Sequence, residues 1–91
     1  TPTRDVLTDD ELLRLRMCKS TDNYQAVSPS GTYRGAYQFD QPTWNGVAER
    51  HFPWLAGMDP VDVNRWWQDA MTRALWSERG RQPWPVCGKR V

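Results

Sequence analysis

Two cysteines, Cys18 and Cys87, lie towards opposite ends of this 91-residue chain and constrain its fold more than any other feature. A bridge between them would close a loop of about 70 residues and add roughly 4 kcal/mol in the chain-entropy model. That is comparable with the whole net stability of many small domains, about 5–15 kcal/mol. Neither cysteine belongs to a CxxC pair and the chain holds one histidine, His51, so zinc is short of correctly spaced ligands and no metal is expected. A structural disulfide formed in an oxidising compartment is the preferred reading. Two unpaired buried thiols are the alternative, and the mass change on reduction separates the two.

A chain of this length makes one domain with a thin core. Hydrophobic residues are only 38% of it, so large side chains, chiefly six tryptophans, must do much of the filling. Twelve Lys and Arg against eleven Asp and Glu leave a formal charge of +1, too weak a field to point to nucleic acid or an anionic membrane. No apolar run approaches the ~20 residues of a bilayer span, so no membrane insertion is expected. No signal peptide opens the sequence, which reads as a trimmed mature domain. No cofactor is expected, and a monomer is.

Residues 1–7, with Pro2 and no periodicity, read as a flexible leader, and 8–91 as the domain. Thr8-Asp9-Asp10-Glu11 has the form of a capping box, with three acids suited to a helix N-terminus. The helix it opens should run to about Cys18 or Lys19, with Leu12, Leu13, Leu15 and Met17 as its apolar face and Arg14 and Arg16 outward. Ser20 to Gly35 is rich in turn formers, and the alternation from Tyr33 to Phe39 hints at a strand. Pro42, followed by Trp44, Val47 and Ala48, marks a second helix to about Arg50. Pro53 and Gly57 break the aromatic connection that follows, and Asp59-Pro60 can start a short helical turn. Asn64 can cap a helix from Arg65 to Arg79, where Trp67, Met71, Ala74 and Leu75 recur at helical spacing and Gly80 terminates. Pro83 and Pro85 keep Arg81 to Val91 irregular. The expected class is mainly α with α+β character: a small helical domain with at most a short β-hairpin.

Four segments occur in a meaningful order: Cys18-Lys19-Ser20-Thr21-Asp22-Asn23-Tyr24, Gly35-Ala36-Tyr37-Gln38-Phe39-Asp40, Thr43-Trp44 and Trp84-Pro85-Val86-Cys87-Gly88. Over residues 8–88 they resemble the catalytic domain of actinobacterial resuscitation-promoting factors. Ala26 to Gly31, ahead of Gln38-Phe39, is similar to the matching stretch of soluble lytic transglycosylases, relatives within the lysozyme superfamily. The resemblance implies a lysozyme-like fold, a Cys18–Cys87 disulfide and export to the cell envelope. It also implies a groove for the alternating N-acetylglucosamine and N-acetylmuramic acid of peptidoglycan strands, which such muramidases or lytic transglycosylases cleave. The family pattern is Cys-Glu-Ser-Gly-Gly-Asn, and its glutamate is the only catalytic acid. Here Lys19 takes that position, and Thr21 and Asp22 replace the glycines.

Glycosidic cleavage needs a proton on the leaving oxygen while an oxocarbenium-like centre develops, and the usual donor is a carboxylic acid tuned upward by an apolar pocket. An ammonium group holds its proton more tightly than an acid tuned to about 6, by roughly 6 kcal/mol. It also supplies no negative charge to the oxocarbenium ion and does not readily return as a base. Two readings follow. In the first, the domain recognises peptidoglycan with impaired catalysis because Lys19 replaces the acid. In the second, it is an active enzyme that uses another carboxylate or a Lys19 whose proton affinity burial has lowered.

Asp22 is the nearest replacement carboxylate, and one further helical turn would pair it with Lys19. Gln38, Asp40 and Thr43 match groove positions of the family, each with a structural alternative: Gln38 to backbone, Asp40 at the start of a helix, Thr43 bracing it. Arg79 stands where the family often has glutamine, and can instead pair with a muramyl or peptide carboxylate. Trp84 can stack on a sugar or plug the core. Trp44, Trp54, Trp66, Trp67 and Trp76 are assigned to core or interface, and His51 to a structural or solvent-facing role. A protein-binding scaffold without glycan affinity is the remaining class.

Overall fold

The computed structural model describes residues 7–91, and within them a side-chain oxygen opens each of three helices. Thr8 caps α1 (Asp9–Ser20) through a complete capping box, its hydroxyl accepting from the Glu11 amide at 3.2 Å and its own amide donating to Glu11 Oε1 at 2.8 Å. Asp40 caps α2 (Gln41–His51), and Asn64 caps α3 (Arg65–Arg79) by accepting from the Trp67 amide. These oxygens satisfy amides that have no partner inside the helix. Gly80, at φ 59°, ends α3 as its sequence position implied. Single 3-10 turns occupy Pro53–Leu55, Pro60–Asp62 and Cys87–Arg90. The last differs from the irregular tail expected, because Pro83 and Pro85 precede it and leave its own amides free to bond.

The apolar face expected for α1 is only half right. Leu12 and Leu15 are buried, while Leu13 and Met17 are exposed. A helix turns 100° per residue, so Leu13 and Met17, four apart, share the outer face. Arg16, expected outward, lies four residues after Leu12 and turns inward, its side chain only 13% exposed.

No β-strand forms among the described residues. The hint of a hairpin survives as two isolated bridges, Val27 with Arg34 and Arg34 with Phe39. Left-handed backbone at Gly31, Gly35 and Gln38 interrupts the extended run that a strand requires.

The core gathers Leu12 and Leu15 of α1, Trp44 and Val47 of α2, and Met71 and Leu75 of α3 around Tyr37, Phe39 and Trp84. Phe39 meets Trp44 and Trp84 edge-to-face, and Trp84 stacks on Trp76. Leu7, assigned to the leader, is buried in this core and its carbonyl accepts from Arg73. Residues 1–6 of that segment lie outside the described residues. Trp54 and Trp66 are 59% and 64% exposed, so neither belongs to the core.

Two tethers hold the non-helical half in place. The disulfide Cys18–Cys87 ties the end of α1 to the C-terminal turn, which removes the alternative of free thiols. The second tether is Gln68, fully buried on α3. Its Oε1 accepts from the Ala36 amide at 2.9 Å, and its Nε2 lies 2.8 Å from the Pro60 and Val63 carbonyls and 3.1 Å from that of Tyr24. Gly35 is required beside it: at φ +86° a Cβ there would sit 2.7 Å from Gln68 Oε1.

Candidate functional site

Because Gln68 fixes Ala36 and Asp40 caps α2, the segment between them forms one wall of a cleft. Gln38 and Asp40 line that wall, with Tyr33 ahead of it in the chain and Thr43 in the first turn of α2. Leu75 and Arg79 on the C-terminal half of α3, with Trp84 beyond it, complete a space of about 220 Å³. Gln38, Asp40, Thr43, Arg79 and Trp84, distant in sequence, are thus brought together.

Their individual settings differ. Gln38 has left-handed backbone, φ 57°, and its Nε2 donates to the Gly35 carbonyl at 2.9 Å, leaving Oε1 without a partner among the described residues. Asp40 Oδ1 accepts from the Thr43 amide at 2.8 Å as the helix cap. The Thr43 hydroxyl and the Arg79 guanidinium have no hydrogen-bond partner or counter-ion among the described residues. Trp84 is only 3% exposed, and its Nε1 donates to the Tyr37 carbonyl at 3.1 Å, the setting of a core plug more than of an open stacking face. Tyr33, which the sequence reading used only as part of an alternating run, is the more exposed ring of the cleft, at 46%. The alternation placed it on the chain, but no local signal tells a cleft aromatic from any other.

Lys19 is not among the residues lining this space. It sits in the last turn of α1 between two anchors. On one side Cys18 is bonded to Cys87, three residues from Trp84; on the other, Ser20 Oγ donates to the Ala36 carbonyl at 2.7 Å, next to Tyr37. The backbone on both sides of position 19 is therefore anchored. Its side chain is half-buried and has no hydrogen bond or ion pair among the described residues.

The expected Lys19–Asp22 pair does not form. The helix stops at Ser20, and Thr21 and Asp22 both adopt left-handed backbone, φ 55° and 64°. Their amides fold back onto the carbonyls of Met17 and Arg16, which turns Asp22 to Arg16, with Oδ1 2.6 Å from Nε. These are the two positions where the resembled pattern carries glycine, the residue that adopts this conformation without steric cost.

Arg16 also enters a cluster that no local pattern in the sequence marks. Tyr24 and Tyr37 both donate to Asp69 Oδ1, at 2.7 and 2.5 Å, and Arg16 Nη1 donates to the Tyr37 hydroxyl at 2.9 Å. Burial and then the hydrogen bond to Asp69 push the Tyr24 phenol up to about 12, and push Tyr37 higher by the same causes. Burial opposes the charge of Arg16, but its bonds to Tyr37 and Asp22 outweigh this and raise its proton affinity. His51 lies at the surface, 2.6 Å from Glu78. Among the described residues, no three His, Cys, Asp or Glu side chains group as metal ligands, and no helix is long and apolar enough to cross a membrane.

Residues 7–87 match the family model described as transglycosylase-like domain. The chain is similar to the probable transglycosylase SceD of Staphylococcus aureus strains bovine RF122 / ET3-1 and MRSA252, with 32% identity over 76 residues, 84% of this chain and 32% of the relative. Probable transglycosylase SceD 3 of Staphylococcus saprophyticus is 33% identical over 66 residues, 72% of this chain and 26% of the relative. The chain thus spans about a third or less of the length of the curated relatives it matches.

Proposed function

The chain belongs to the transglycosylase-like domain family, and on that premise we propose that residues 8–91 form a lysozyme-like module that holds peptidoglycan glycan strands in the Gln38–Asp40–Thr43–Arg79 cleft and cleaves them poorly. The four ordered motifs shared with resuscitation-promoting factors support that closer kinship, and with it secretion to the cell envelope. In the cleft, the free Thr43 hydroxyl and Gln38 Oε1 are suited to the hydroxyl and acetamido groups of the sugars, and Arg79 to a muramyl or peptide carboxylate. Tyr33 offers the accessible ring for a pyranose face.

One observation carries the impaired reading: Asp40 is the single carboxylate among the described residues lining the cleft, it is engaged as the cap of α2, and the position matching the family acid holds Lys19. Cleavage requires an acid that donates and then accepts a proton within reach of the scissile oxygen. The active-enzyme reading keeps one foothold, the unpartnered Oδ2 of Asp40.

A single series on purified cell walls tests both. The parent is expected to sediment with the walls but to clear a wall suspension slowly, Lys19→Glu to clear it at least tenfold faster, and Asp40→Asn to lower clearing only in proportion to any loss of sedimentation. Equal clearing by the parent and Lys19→Glu would refute impairment by Lys19. A loss of parental clearing in an Asp40→Asn variant that still sediments with walls as the parent does would assign the chemistry to Asp40. Failure of the parent to sediment with walls would end the glycan reading.

A further inference from the structure

A second, larger groove opens on the other side of Tyr37. The Tyr37 ring lines the cleft described above, whereas its hydroxyl reaches into the Arg16–Asp69 cluster, which lines a space of about 720 Å³ with Tyr24, Arg65, Trp66 and Arg73. That volume lies within the ~300–1,000 Å³ usual for ligand sites. We propose that this groove is a second binding site for a carboxylate-bearing saccharide, separate from the cleft.

The charge on the groove selects an anion. Arg16 is met by Asp22 and Asp69, and Arg73 by Asp9 and the Leu7 carbonyl. Arg65 has no counter-ion among the described residues; its guanidinium lies 5.4 Å from the centre of the Tyr24 ring and keeps its hydrogen-bond donors for another partner. A guanidinium lying over an aromatic face with its donors unspent suits a carboxylate.

The aromatic component selects a flat, partly apolar ligand. Trp66 is 64% exposed, a costly place for a large ring in a domain so short of core. It is also braced: Trp67 meets it edge-to-face at 4.5 Å, and Trp67 is held in turn by Phe52 and Trp54. The exposed face of Trp66 is therefore fixed before any ligand arrives, next in sequence to the free Arg65, which lowers the entropic cost of binding. A sugar ring stacked on Trp66 with its carboxylate at Arg65 uses both features. The choice of a saccharide over an acidic peptide rests on the function proposed above, since a polymer that presents many acidic sugars gains residence from a second foothold.

The test is a titration of 15N-labelled protein, following the Trp66 indole and the Arg65 and Arg79 side-chain signals. The probe is a peptide-free tetrasaccharide of alternating N-acetylglucosamine and N-acetylmuramic acid. The Trp66 and Arg65 signals should move and should still do so in Thr43→Val, which alters only the cleft. Arg65→Ala and Trp66→Ala, both at exposed positions, should each weaken this response by roughly tenfold. Shifts confined to the cleft would overturn the second site and leave the proposed function standing, whereas silence at both sites would overturn the two together. Equal shifts from the neutral N-acetylglucosamine tetramer would overturn the role of charge. Equal shifts from a sugar-free stem peptide would reassign the groove to a peptide.

Discussion

Replacing Gln68 by leucine should cost this domain a large part of its stability, although leucine is apolar, similar in size and enters a buried site. Gln68 is 1% exposed, and its amide group serves the Ala36 amide and the carbonyls of Pro60 and Val63 at 2.8–2.9 Å. Gln68→Leu leaves the Ala36 amide and the Val63 carbonyl buried and unpaired, at about 1–3 kcal/mol each, while the Pro60 carbonyl keeps the Val63 amide as a donor at 3.2 Å. Allowing for the apolar gain of leucine, the net loss is roughly 2–4 kcal/mol, against a total of about 5–14 kcal/mol expected at this chain length. At about 4–8 °C per kcal/mol, the Tm should fall by roughly 8–32 °C in a circular-dichroism melt of the oxidised protein at pH 7. Gln68→Glu is the companion variant. It keeps an acceptor for Ala36 but sets a carboxylate against three carbonyls, so its folded-state pKa is raised above the unfolded value of about 4.3. Its stability relative to the parent should therefore be fully recovered below about 4.3 and be lost as pH rises from there through the raised folded-state pKa. A loss under about 1 kcal/mol in the leucine variant, or a pH-independent deficit in the glutamate variant, would refute the role of Gln68 as a hydrogen-bonded tether.

Two further perturbations test other parts of the fold. Thr21→Gly should stabilise the domain by about 0.5–1 kcal/mol, since the ~1–2 kcal/mol of left-handed strain on a β-branched residue exceeds the extra chain entropy of glycine; urea titration reads it, and destabilisation would contradict the strain. Glu78 is held down to about 2, chiefly by its hydrogen bond from Arg50, with burial opposing and His51 assisting. A lowered carboxylate stabilises above its unfolded pKa and loses that contribution as pH falls through the folded one. The stability deficit of Glu78→Gln, modest because the pair is at the surface, should be present at pH 7 and vanish between about 4.5 and 2; a constant deficit would refute it.

Helix boundaries were legible in the sequence because they are local chemistry. Thr8, Asn64 and Gly80 each act within a few residues, on amides and dihedrals that the neighbouring chain supplies. The five cleft residues were legible only through the resemblance, since Gln38 and Arg79 share no local pattern. The Arg16–Tyr37–Asp69 cluster had no such guide. Its members are 21 and 32 residues apart, and Arg16 reads as an outward charge until the core around it exists.

Where helices begin and end, and the presence of two cysteines able to close the chain, could be read from residues alone. Capping energies and glycine's freedom act over a single turn and need no distant partner. Packing of distant segments was needed to bring Cys18 to Cys87, to let Gln68 pin a strandless loop into a cleft wall, to turn Asp22 to Arg16 and not to Lys19, and to face Trp66 outward beside an Arg65 without a counter-ion among the described residues. Those outcomes depend on which groups lose water together, and that is set when the three helices pack.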